Sequence, residues 1–222
     1  MSMSLFDIIG PVMVGPSSSH TAGVVRIGNV VKQILGNIPA KATVEFHGSF
    51  ATTYQGHGSD RAIVAGMLGM STEDERIRNS LALARDSGME VDLKAVHQSD
   101  GHPNKLVVNA ESRTGETLHL VGYSVGGGNI LIVRINAIAV EFTGKCNTLI
   151  VGHKDTPGVI ARVTRALADR GINIASMKVY RALRGGDAIM IIETDQDIDR
   201  QLVCGLEQQS GVFSVTSLPS LF

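Results

Sequence analysis

An α+β fold in two domains is predicted for this chain of 222 residues, on three observations. The C-terminal part alternates strand-like and helix-like periodicity in the order βαββαβ, the ferredoxin-like order. The N-terminal part mixes amphipathic helical stretches with strand runs that do not alternate regularly, as in an α+β domain. Around Thr143-Gly144-Lys145-Cys146-Asn147 a strand-like run ending at Phe142 gives way to a unit opening with Thr148-Leu149-Ile150-Val151-Gly152, which sets the domains at 1–145 and 148–222.

The elements follow in order. Ala22-Gly23-Val24-Val25-Arg26-Ile27-Gly28-Asn29-Val30-Val31 returns an apolar residue every three or four positions, so a helix is expected from about His20 to Leu35. A strand at Ala42 to Phe46 precedes a glycine-rich loop, and a second helix starts near Ser59. Ser71-Thr72-Glu73-Asp74-Glu75 reads as the capping segment of a helix reaching about Ser87. Strand runs are expected at Val91 to Val96, Lys105 to Ala110, Glu116 to Tyr123 and Ile130 to Phe142. In the second domain a strand from Thr148 leads to a helix over Gly158 to Arg170, closed by Gly171. Strands at Ile172 to Arg181 and Ala188 to Thr194 are joined by the hairpin Arg184-Gly185-Gly186-Asp187. A helix from Asp199 to Gln209 and a strand from Val212 complete the unit.

Composition narrows the function classes. With 43% hydrophobic and 18% charged residues the chain can bury a sizeable core. Twenty basic against 21 acidic residues leave a net charge of −1, which recommends neither nucleic acid nor an anionic membrane as partner. Met1-Ser2-Met3-Ser4-Leu5-Phe6-Asp7 has no signal-peptide pattern, and the apolar stretch Asn129 to Phe142 is broken by Arg134, so a cytoplasmic protein is expected. The 2 cysteines, Cys146 and Cys204, lie in apolar surroundings and are expected buried and reduced. Ser124-Val125-Gly126-Gly127-Gly128-Asn129 is a candidate anion nest, but it lacks the GxGxxG spacing of a dinucleotide site. P-loop and HExxH signatures are absent.

Two segments carry candidate chemistry. In Gly15-Pro16-Ser17-Ser18-Ser19-His20-Thr21, hydroxyls and an imidazole precede a helix whose first N–H groups and positive dipole end favour a carboxylate. In Phe46-His47-Gly48-Ser49-Phe50-Ala51-Thr52-Thr53-Tyr54-Gln55-Gly56-His57-Gly58-Ser59-Asp60, a second imidazole stands before a second helix. A helix N-terminus disfavours imidazolium, which keeps a histidine neutral as a general base requires. His102-Pro103-Asn104, after a turn at Ser99-Asp100-Gly101, offers a further imidazole and amide. His97, His119 and His153 have no such setting and read as strand or surface residues.

Taken together, Gly-Pro-Ser-Ser-Ser-His-Thr, Gly-Ser-Phe-Ala followed by Gly-His-Gly-Ser-Asp, His-Pro-Asn and the triple glycine resemble the beta chain of the bacterial iron–sulfur-dependent L-serine dehydratases, from about Leu5 to the C-terminus. Asp155-Thr156-Pro157-Gly158-Val159-Ile160 and Gly171-Ile172-Asn173-Ile174-Ala175, with the βαββαβ order, are similar to an ACT domain. The resemblance implies conversion of L-serine to pyruvate and ammonia, with a [4Fe–4S] cluster as Lewis acid on the hydroxyl and a base at the α-proton. Two cysteines and no CxxC cannot hold such a cluster, so it implies a partner alpha chain that does.

The resemblance makes His57 the preferred base and His20 an orienting or substrate-contacting group, with the roles open to exchange. It places Ser17, Ser18, Ser19, Thr21, Gly58, Ser59 and Asp60 around the substrate, and His102 and Asn104 are added from their loop. An effector site is implied at Asp155, Pro157, Gly158, Val159 and Asn173, with self-association through the ACT domain. The alternative is a free-standing serine-binding regulatory module, since related domains also look like the regulatory end of D-3-phosphoglycerate dehydrogenases. Two imidazoles ahead of two helices favour the catalytic half-site over the sensor.

Overall fold

The computed structural model describes residues 12–97 and 101–222. Met1 to Asp7 and the Ser99-Asp100 part of the expected turn lie outside the described residues. The chain divides into two compact units, Met1–Asn136 and Ala137–Phe222. The division falls ahead of the 143–147 segment because β6 (Ile138–Phe142) is tied to the second unit. There Glu141 accepts the Lys178 ammonium at 3.2 Å, and its carbonyl accepts the Tyr180 hydroxyl at 3.1 Å.

In the first unit, β1 (Lys41–His47), β2 (Glu90–Val96), β3 (Lys105–Glu111), β4 (Thr117–Gly126) and β5 (Asn129–Ile135) follow the order β2-β1-β3-β4-β5. β1 and β2 are parallel and the pairs β1–β3, β3–β4 and β4–β5 antiparallel. Alternation along β1 buries Ala42, Val44 and Phe46 on the helix-covered face. The helices are α1 (Ala22–Leu35), α2 (Ser49–Thr53), α3 (Ser59–Leu68) and α4 (Ser80–Asp86), with a 3₁₀ turn at Glu75–Asn79. Asp74 caps that turn by accepting the Arg76 N–H at 2.9 Å.

Contacts between α1 and α3 climb together, from His20 beside Ser59, through Gly28 beside Gly66, to Lys32 beside Gly69. The two helices therefore run parallel, with their N-terminal ends side by side. A Cβ on Gly28 would stand 2.5 Å from the Ile63 carbonyl oxygen, so the approach needs glycine.

Two expectations change in this unit. α2 occupies ground expected to be loop. The run Ile130 to Phe142 is β5 and β6, separated at Asn136, which adopts φ +51°. Its N–H donates to the His119 carbonyl at 2.7 Å and its Oδ1 accepts the His119 N–H at 2.9 Å.

The second unit carries β7 (Asn147–Lys154), α5 (Val159–Ala168), β8 (Ile174–Arg181), β9 (Asp187–Thr194), α6 (Arg200–Glu207) and β10 (Val212–Leu218). The sheet order β10-β7-β9-β8, antiparallel throughout, is the ferredoxin-like topology. Leu149, Val151, Val159, Val163, Leu167, Met190, Ile192, Leu202 and Leu206 form its core. Both cysteines are free, but the expected burial does not hold: Cys146 is half-buried and Cys204 exposed. On α6 Leu202 and Leu206 face the core, and a residue two positions from each turns to the opposite side.

Candidate active site

The parallel packing of α1 and α3 brings the two histidine segments together. The His20 and His57 rings meet edge to face, with centroids 4.7 Å apart, and the Phe50 ring closes on His20 at 4.9 Å. Ser59, fully buried at the start of α3, donates its hydroxyl to the His20 carbonyl at 2.7 Å. The Ser17 and Ser19 hydroxyls each lie 3.2 Å from His20 Nδ1 and 3.2 Å from one another. His20 Nε2 and His57 Nδ1 are buried and have no hydrogen-bond partner among the described residues. Burial first, and then the charge of His57, hold the His20 imidazole below its ordinary range.

Several candidates take supporting positions. The Thr21 hydroxyl donates to the Ser17 carbonyl, and the residue, 2% exposed, holds the serine turn. The serine hydroxyls do not cap α1: Thr21 stands at the N-cap, and its side chain makes no capping bond to the helix. Ser18 contributes its carbonyl to the Gly23 N–H at 3.0 Å. Gly58, left-handed at φ +73°, starts α3, and half-buried Asp60 accepts the Arg61 N–H at 2.8 Å. Burial pushes the Asp60 carboxyl above the usual range, against the pull of Arg61.

His102 and Asn104 reach the imidazole pair at one remove. His102 stacks on Tyr123 at 4.9 Å and accepts the Asn104 N–H at 3.1 Å. Asn104 accepts the Ser49 hydroxyl, and the Ser49 N–H donates to the Pro103 carbonyl at 2.7 Å, which seats α2 and hence Phe50. The triple glycine is a hairpin turn and not an anion nest. Gly127 and Gly128 take φ +58° and +78° between β4 and β5, and buried Arg26 donates to the Gly128 carbonyl at 2.6 Å.

Beside His57 lies a cleft of about 370 Å³, walled by Val14, Pro16, Thr21, Gly56, Ile77 and two arginines, Arg61 and Arg78. The sequence reading missed both arginines. Arg61 follows the histidine motif directly and was within reach of it, whereas Arg78 arrives through tertiary structure alone.

In the second unit the expected effector residues are largely committed to the fold. Asp155 Oδ2 accepts the Gly185 N–H at 2.9 Å and Arg181 at 2.7 Å, donors that hold its carboxyl below the usual range. The Asn173 amide donates to Asp195 at 2.6 Å, and Val159 is fully buried in the core. Pro157 is exposed, and Gly158, at φ +89°, starts α5.

The class so defined is a two-module protein: an α+β unit with an imidazole pair beside a small basic cleft, followed by a ferredoxin-like unit. Residues 4–93 match the serine dehydratase beta chain family and residues 147–203 the ACT domain. The chain is 41% identical to the probable L-serine dehydratase beta chain of Bacillus subtilis, over 97% of each protein. It is 37% identical to the L-serine dehydratase beta chain of Peptoniphilus asaccharolyticus, over 92% of this chain and 94% of that one. A D-3-phosphoglycerate dehydrogenase of Bacillus subtilis is 28% identical over 86% of this chain and 36% of its own length. The chain belongs to the L-serine dehydratase beta-chain family.

Proposed function

We propose that this chain acts as the beta half of an L-serine dehydratase, supplying proton-transfer and carboxylate-binding groups for conversion of L-serine to pyruvate and ammonia. The observation that carries the reading is the His20–His57 pair, assembled from two distant segments at the joined ends of α1 and α3. His57, which borders the cleft, takes the α-proton. His20, kept neutral by burial, orients it or contacts the substrate. Loss of the β-hydroxyl as water leaves an enamine, which tautomerises and hydrolyses to pyruvate and ammonia.

The residues of this chain do not fit an iron–sulfur cluster. Its thiols are Cys146 and Cys204, fewer than the roughly four a cluster takes, and among the described residues no group of three or more His, Cys, Asp or Glu could hold a metal. The [4Fe–4S] cluster that the resemblance implies is therefore assigned to an alpha chain. The ACT unit is assigned self-association along edge strand β8, where Met177 and Val179 are 39% and 36% exposed. No helix among the described residues is long and apolar enough to cross a membrane, and free thiols agree with a cytoplasmic location.

The test is to co-express this chain with a cysteine-bearing alpha chain, purify anaerobically, and measure pyruvate formation from L-serine by each chain alone and by both. Activity confined to the pair supports the shared site. An inactive pair, with serine bound by this chain alone in calorimetry, favours the regulatory module.

A further inference from the structure

We propose that Arg61 and Arg78 form the carboxylate receptor of the cleft beside His57, so that the site selects an amino acid by its free carboxylate and turns its Cα toward the imidazole; this rests on the dehydratase reading and deepens it. Arg61 and Arg78 come from different elements, the first turn of α3 and the 3₁₀ turn at Glu75–Asn79, and line the same cleft. Their convergence is held by the fold. Ser80, fully buried, donates its hydroxyl to the Arg61 carbonyl at 2.8 Å, which fixes the 3₁₀ turn against α3. Ile77, 3% exposed, anchors the same turn and forms an apolar wall of the cleft.

The neighbouring cation is used differently. Arg76 gives its side chain to Asp74, at 2.6 Å from Nη2 and 3.0 Å from Nε, and is neutralised there. Among the described residues neither Arg61 nor Arg78 forms a side-chain ion pair. Arg61 also stands at the N-terminal end of a helix, where the macrodipole opposes a cation. Arg61 feels the neighbouring Asp60 carboxyl, which is bonded to the Arg61 N–H, yet among the described residues neither guanidinium is held in an ion pair, and two cations converging on one small cleft suit a bound anion. A carboxylate accepts bidentate bonds from such groups. The volume of about 370 Å³ suits a small amino acid, and Val14, Pro16 and Ile77 supply apolar wall.

The test compares L-serine with L-serinamide, which keeps the ammonium and hydroxyl but loses the carboxylate, in the reconstituted pair. The wild-type pair is expected to prefer serine by more than about 10²-fold in kcat/KM. Arg61→Gln and Arg78→Gln each raise KM for serine tenfold or more with a smaller change in kcat. The double variant brings the serine-to-serinamide ratio towards one, and Arg61→Lys recovers part of it. An unchanged ratio in a double variant that still assembles by size exclusion overturns the assignment. Should the wild-type pair be inactive, the dehydratase reading fails separately; calorimetric serine binding by this chain, lost in the double variant, then supports the receptor, and its absence or persistence overturns it.

Discussion

Gly28 and Gly66 bring the backbones of α1 and α3 into direct contact: a Cβ added to Gly28 would lie 2.9 Å from Gly66 Cα, and one added to Gly66 would lie 2.8 Å from Gly28 Cα. Eight residues before Gly28 comes His20 and nine before Gly66 comes His57. In parallel helices, near-equal offsets bring those positions to the same end. The catalytic geometry proposed above is thus set by two residues with no functional groups.

Gly28→Ala and Gly66→Ala should each force the helices apart. Overpacking of a close helix contact costs about 1–3 kcal/mol, read from the denaturant midpoint. Activity of the reconstituted pair should fall further than the stability loss explains, because the spacing of the imidazoles depends on the same contact. A variant with wild-type midpoint and wild-type turnover would show that the crossing tolerates a methyl group.

Much of this was legible from sequence where the signal is local. The ferredoxin-like unit announces itself through Gly171, the Arg184–Asp187 hairpin and two amphipathic helices, and the histidine motifs lie in short stretches before helices. What was not legible depends on tertiary contacts. The turn at Asn136 hides inside an apolar run because its bonds go to His119 on another strand. That Thr21 and Ser59 place their hydroxyls on the carbonyls of Ser17 and His20 shows only in the folded chain. Arg78 carries no motif and becomes visible only when Ser80 docks on Arg61.

Replacing His57 by Ala should remove the base and leave the fold, since among the described residues its side chain makes no hydrogen bond through Nδ1 and its backbone N–H bond to Thr53 at 2.9 Å persists. A positioned base is worth about 10²- to 10⁴-fold in rate, and the loss is expected in kcat of the reconstituted pair. Size exclusion should show unchanged assembly. Retained turnover would pass the role of base to His20.

Stability should fall on mild acidification, through His20. Its folded pKa lies below the ordinary imidazole value of 6.5, so the unfolded chain binds more protons, and stability present above 6.5 is lost as pH falls from there towards the folded value. Thermal melts across that window should flatten in His20→Gln. Asp60 acts in a lower range with the opposite sign: its carboxyl is raised above 3.8 by burial, so the fold is disfavoured as pH rises from 3.8 through the folded value. An identical slope in wild type and His20→Gln would place the titrating group elsewhere.

Asp155 closes the β8–β9 hairpin back onto the loop ahead of α5, because a single oxygen accepts both the Gly185 N–H and the Arg181 guanidinium. That carboxylate is held below its usual range, with the Gly185 N–H as the largest cause and Arg181 next. The bond therefore contributes above the ordinary value of 3.8 and is lost as pH falls through the depressed one. In Asp155→Asn the amide can still accept one of the two donors but carries no charge, so the Gly185 amide should exchange with solvent faster than in wild type at neutral pH. Core amides on β7 and β9, such as Val151 and Met190, should keep their protection, because the change touches no core residue. Hydrogen exchange separates the outcomes: faster exchange confined to the hairpin marks Asp155 as the latch of this loop, and unaltered exchange at Gly185 would show that the backbone holds the turn without it.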